Sequence, residues 1–129
     1  MNYDELTTLG STVREFKGFD TFPAPPNVTT VKFESDELTS VCPITGQPDW
    51  YSIVIEYSPD EACLESKSLK LYLQKFRNDG IFGESLASLI VDEIYEALLP
   101  HKVTVVLIQK PRGGISITST ASREKGENQ

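Results

Sequence analysis

The hydrophobic period of this chain changes twice between residues 50 and 120, and that change limits the folds open to it. In WYSIVIEY, residues 50–57, Tyr51, Ile53, Ile55 and Tyr57 alternate with Ser52, Val54 and Glu56, the period-two pattern of a strand with one buried face. Before it, VTTVKFES, starting at Val28, is rich in β-branched residues and reads as another strand. After SPDEACLE the period becomes helical. Leu69, Leu73 and Phe76 form one stripe of a helix over 66–78, stopped by NDG. In ESLASLIVDEIYEALLP the apolar residues Leu86, Leu89, Ile90, Ile94, Ala97 and Leu98 recur at three and four, and Pro100 ends the run. Period two returns in KVTVVLIQK and ISITST, joined by the tight turn PRGG. The predicted order is ββααββ, an α+β domain with an antiparallel four-stranded sheet and two helices on one face. The open edges of such a sheet make oligomerisation an expectation.

Residues 1–27 lack a periodic pattern and end in FDTFPAPPN, where Pro23, Pro25 and Pro26 exclude helix. They are expected to form an extended lead-in that packs on the domain or on a neighbouring subunit. Residues 28–120 then form a single domain, and 121–129 a disordered tail. A chain of 129 residues can bury about two-thirds of its unfolded surface in one core. Its apolar stretches fall short of the ~20 residues of a membrane span, and MNYDELTTLG has no signal pattern. A cytoplasmic protein is expected. With a net charge of -7, no broad field attracts nucleic acid, so phosphate recognition would need a local cluster. The two cysteines lack zinc-site spacing and suit a reducing compartment, so neither metal nor disulfide is expected.

The residues that carry chemistry are few. Pro43 biases Cys42 toward an extended conformation, and TGQPD offers a reversing loop that brings Asp49 back toward the sulfur. A carboxylate opposes a thiolate, and no histidine is adjacent. In a partly buried cleft, however, Asp49 would have a raised pKa, take the thiol proton and return it to a neutral electrophile such as a nitrile. The competing reading of Cys42 is a small buried residue. ESKSLKLY places Lys67 and Lys70 at a helix start with capping serines, which suits a phosphate cradle or simply a solvated face. KPRGG adds Lys110 and Arg112 as anion contacts, or is an ordinary turn. Glu84 and Glu65 can each accept two parallel hydrogen bonds from a guanine-like base, although a helix-start charge explains Glu84 as well. His101 is read as a surface residue and Cys63 as core.

CPITGQPD, ESKSLKLY, KFRNDG and KPRGGISI, in this order and spacing, closely resemble the short, single-domain 7-cyano-7-deazaguanine reductases, the nitrile reductases of queuosine biosynthesis. The similarity runs from about Phe33 to Ile117. The resemblance implies the tunnelling fold, whose ββααββ units assemble into homo-oligomeric rings with active sites between subunits. It implies that Cys42 attacks the nitrile carbon of 7-cyano-7-deazaguanine to form a thioimide, that Asp49 donates the proton, and that two NADPH are consumed. Substrate contacts map onto Leu64, Glu65, Ser66 and the Gly83–Glu84 pair, while Lys67 and Lys70, with Arg112, lie toward NADPH. Two departures stand out: Gly83 where the family usually has a histidine, and Asp79 where a histidine is common. Restoring a histidine at 83 is expected to raise turnover if the missing imidazole is what limits it. Two other readings share the cysteine and aspartate: amidine formation with ammonia, as in archaeosine synthesis, and a purine-binding ring protein without hydride transfer.

Overall fold

Tyr51, Ile53, Ile55 and Tyr57 all lie on the buried face of one central strand, and the rest of the architecture follows from covering them. The computed structural model describes residues 15–126. Its elements are β1 (Thr21–Pro23), β2 (Val31–Val41), β3 (Pro48–Ser58), β4 (Ala62–Leu64), α1 (Ser66–Gln74), α2 (Gly83–Leu98), β5 (Lys102–Arg112) and β6 (Ile115–Glu124). The main sheet has the order β2-β3-β5-β6, antiparallel throughout. The expected α+β ββααββ arrangement is therefore present. Val103, Val105 and Leu107 of β5 continue the buried face, and both helices contribute to the core above it.

The helices pack somewhat differently from the sequence reading. In α2 the buried positions are Leu86, Ala87, Ile90, Val91, Ile94 and Leu98, whereas Leu89 and Ala97 are exposed. The stripe follows two adjacent rows of four-residue spacing, which keeps it over β5 and β6. Regular helix in α1 stops at Gln74 rather than at 78, because the following N–H groups bond three residues back: Phe76 to Leu73, Arg77 to Gln74 and Asp79 to Phe76. Among the described residues, no helix is long and apolar enough to cross a membrane.

Three boundaries also shift. β2 extends to Val41 through a bulge between Ser35 and Leu38. The bulge changes parity, so Phe33 and Ser35 face inward before it and Leu38 and Ser40 after it. Of the predicted lead-in, residues 1–14 lie outside the described residues. The remainder contains β1, which pairs with β4 in a second small sheet, Phe22 opposite Cys63. Phe16 meets the Tyr72 ring edge-on and Phe19 at a tilt, with centroids 5.2 and 4.6 Å apart. Finally, the tail expected from 121 onward is strand as far as Glu124, with Ala121 opposite Val105 and Glu124 opposite Lys102. Arg123 anchors it, bonding Asp92 and Glu96 of α2 at 3.3 and 3.1 Å and covering the Tyr95 ring. Alternate residues of this stretch, Ala121 and Arg123, are half-buried, which its charged composition does not signal. Residues 127–129 lie outside the described residues.

Candidate active site

The β2–β3 connection holds Cys42 in a tight loop. The Cys42 N–H donates to the Gln47 carbonyl and the Gly46 N–H donates to the Cys42 carbonyl, both at 2.8 Å. The α1–α2 connection docks against this loop: the Val41 N–H donates to Asp79 O at 3.0 Å and the Ile81 N–H to Val41 O at 3.1 Å. A Cβ at Gly80 would lie 3.3 Å from Pro43 Cα, so a residue without a side chain permits the approach. Cys42 is half-buried, unlike Cys63, which is buried in the core. The Cys42 pKa is held below its ordinary value, first by the Thr45 hydroxyl, then by the Thr45 and Ile44 amides, with Arg112 adding a smaller effect. The buried-residue reading therefore fits Cys63 and not Cys42.

Asp49 lies directly across from Ser40 in the β2–β3 pairing and is only 4 % exposed. Its partner is Arg112, whose Nη1 donates to Asp49 Oδ1 at 2.5 Å while Nη2 donates to Gln47 Oε1 at 2.5 Å. The clash foreseen between a thiolate and a carboxylate is thus offset by a cation common to both groups. Arg112, expected as a contact for an external anion, bonds an anion of its own chain. Lys110 beside it is exposed.

Gly83 begins α2, after an N-cap residue, Phe82, that offers no side-chain bond; Glu84 stands exposed in the first turn, where the helix dipole favours its charge. Beneath them lies Tyr51, fully buried, with its hydroxyl 3.0 Å from Ser40 Oγ. Burial raises the Tyr51 pKa, the Ser40 hydrogen bond opposes this, and the charges of Asp49 and Glu84 raise it further. The phenol thus lies in the field of both carboxylates.

At the start of α1 the structure corrects one expectation. The serines do not cap the helix. Glu65 does, its oxygens accepting from the Lys67 N–H at 2.6 Å and the Ser68 N–H at 2.8 Å. A buried carboxylate therefore occupies the amides that a phosphate cradle would use, and any phosphate contact here belongs to the lysine side chains. Leu64 is buried, its N–H donating to the Tyr57 hydroxyl at 2.9 Å. Ser66 and Lys70 are exposed and, with Phe33, Ile55, Leu69 and Leu73, line a mainly apolar cleft of about 210 Å³. Cys42, Asp49 and Glu84 are not among the residues lining it. The structure thus brings together Cys42, Asp49 and Arg112, sets Gly83 and Glu84 beside Tyr51, and leaves Ser66 and Lys70 on a separate cleft. His101 is on the surface, 3.9 Å from Asp60.

Sequence reasoning missed Thr45, Gln47, Ser40 and Tyr51. The first two carried a signal, since a turn after a cysteine can aim hydroxyl and amide donors at the sulfur. Ser40 and Tyr51 carried none, because the bulge decides that Ser40 faces inward.

The chain matches a family model described as QueF-like protein over residues 48–128. It is 51% identical over 94 residues to the NADPH-dependent 7-cyano-7-deazaguanine reductase of Rhodopirellula baltica, covering 73% of this chain and 78% of that protein. It is 43% identical over 118 residues to the enzyme of the same name from Frankia casuarinae, covering 91% and 94%. Among solved structures it is similar to the archaeosine synthase QueF-Like in the apo form, with a TM-score of 0.70, 25% identity, and coverage of 77% of this chain and 94% of that one.

Proposed function

The chain belongs to the QueF-like family, and on that premise we propose that it is an NADPH-dependent oxidoreductase that reduces the nitrile of 7-cyano-7-deazaguanine to the aminomethyl group, the tRNA-modification chemistry of queuosine biosynthesis. The observation that carries the reading is the Cys42 loop: a half-buried thiol whose pKa is lowered by Thr45 and by loop amides, within the field of the Asp49–Arg112 pair. Such a thiol yields its nucleophilic thiolate more readily than an ordinary cysteine. As the sulfur–carbon bond forms, the Asp49 carboxylate takes the proton of the Cys42 thiol and passes it to the nitrile nitrogen. The product is a thioimide, which keeps the carbon attached to the protein during reduction. Asp49 is buried, and its ion pair with Arg112 fixes the carboxyl orientation that this transfer needs.

Leu64, Glu65, Ser66, Gly83 and Glu84 form the substrate-binding set of this reading. Glu84 suits the role best, because its carboxylate is exposed and matches the two donors of a guanine-like edge. Exposed Lys70 and neighbouring Lys67 fit phosphate groups of NADPH by charge, with Arg112 as a further cation. When bound, NADPH supplies the hydrides of the reduction. The separation of the Ser66–Lys70 cleft from the Cys42 cluster supports sites completed between copies in a homo-oligomeric ring, and the open edges of β2 and β6 supply the means. Two free cysteines suit the cytoplasm, and the net charge of -7 favours a free base over nucleic acid as substrate.

The decisive assay mixes protein, 7-cyano-7-deazaguanine and NADPH, follows nicotinamide absorbance and weighs the protein intact. Two NADPH oxidised per nitrile is the expected result. An adduct without oxidation indicates a binding protein, and turnover only with modified tRNA and ammonia indicates the amidine reaction of the archaeosine synthase it resembles.

A further inference from the structure

Ser40 and Tyr51 are both fully buried, and their hydroxyls face each other at 3.0 Å. Two hydroxyls hold two O–H donors, and their mutual bond uses one. The second has no acceptor among the described residues, an uncommon condition for an enclosed polar group. The register supplies a candidate. Ser40 is the direct cross-strand partner of Asp49, so the two side chains lie on one face with Cβ atoms about 4.5–5.5 Å apart. Arg112 occupies Asp49 Oδ1, and Oδ2 has no donor among the described residues. An unassigned donor and an unassigned acceptor thus belong to cross-strand partners on one face of the sheet.

We propose that Tyr51 and Ser40 form a positioning relay for Asp49: Tyr51 donates to Ser40, and Ser40 donates to Asp49 Oδ2, so that the carboxyl is gripped from both sides, by the hydroxyl pair and by Arg112. Gly83 admits the relay. A Cβ there would meet Tyr51 Cε1 at 3.3 Å and Gln109 Oε1 at 3.2 Å, so the bare backbone at the start of α2 is what lets the phenol reach its place under the site. No proton is gained or lost in the relay. Its work is to hold the acid in one orientation while the nitrile nitrogen is protonated.

This inference rests on the proposed nitrile reduction, and its test separates the two. Wild type, Ser40→Ala, Tyr51→Phe, the double variant and Ser40→Thr are compared with 7-cyano-7-deazaguanine and NADPH, reading kcat, KM and the pH profile of kcat. Misorienting a general acid should lower kcat about tenfold in each single variant, move the pH profile, and change KM by less than about twofold. The double variant should be no slower than the slower single one, and Ser40→Thr, which keeps the hydroxyl, should recover to within about threefold. If Ser40→Ala does not fold, Tyr51→Phe, which retains the ring, carries the same expectation. The relay is refuted if Tyr51→Phe or Ser40→Ala stays within about twofold of wild type with an unmoved pH profile, or if Ser40→Thr is as slow as Ser40→Ala. A wild type that neither oxidises NADPH nor gains the adduct mass overturns the nitrile reading, and the relay with it.

Discussion

Arg112 and Asp49 lie 63 residues apart in sequence, yet Arg112 Nη1 donates to Asp49 Oδ1 at 2.5 Å and ties the last hairpin to the loop that carries Cys42. The carboxylate is buried and the guanidinium is 39 % exposed, so the pair adds little Coulomb energy. Leaving the buried anion without its donor is the larger effect.

Arg112→Ala should therefore lower stability by about 1 kcal/mol and slow Cys42 alkylation at neutral pH, because the thiol loses a cation that favours its anion. Thermal unfolding and iodoacetamide kinetics read the two effects. An unchanged alkylation rate would remove Arg112 from the nucleophile's environment.

The rate of Cys42 alkylation against pH should have its midpoint below the 9.0 of an ordinary thiol, and Thr45→Val should move that midpoint upward, since the hydroxyl is the largest stabiliser of the thiolate. Cys42→Ala should abolish the nitrile adduct. A midpoint unaffected by Thr45→Val would contradict the loop geometry.

Tyr57 links stability to alkaline pH. Burial pushes its phenol from 10.0 up to about 12, while the Leu64 N–H bond opposes the shift. The folded pKa is raised above the unfolded value, so its contribution is complete below pH 10 and is lost as pH rises toward 12. That contribution is of order 2 kcal/mol. Tyr57→Phe should flatten the fall in thermal stability over this window. Burial also raises the pKa values of Tyr51 and Tyr72, so part of the decline should remain.

Glu65→Ala removes both acceptors at the start of α1, at a cost of about 1 kcal/mol. Hydrogen exchange of the Lys67 and Ser68 amides should accelerate while the core of β3 stays protected. Equal protection in the variant would mean that another group caps the helix.

At Gly83→His the local packing opposes the sequence expectation. The added Cβ presses on the Tyr51 ring and the Gln109 amide, which must give by a few tenths of an ångström, so turnover should fall by about tenfold or more rather than rise. Faster turnover in a steady-state assay would show that Tyr51 yields and that a missing imidazole limits the reaction.

The periodicity of residues 50–120 determined the element types, because a strand that buries one face must alternate and a helix that buries one stripe must repeat near 3.6. The motifs determined the family and singled out Cys42, Asp49 and Arg112 as candidates, because a thiol, an acid and a cation are recognisable by residue type alone. What tertiary structure decided is which of them meet, and through what. The bulge between Ser35 and Leu38 turns Ser40 inward, the β5 register carries Arg112 back to Asp49, and Gly83 leaves room for Tyr51. These depend on strand register and on contacts between residues distant in sequence, and a one-residue slip would reverse each facing.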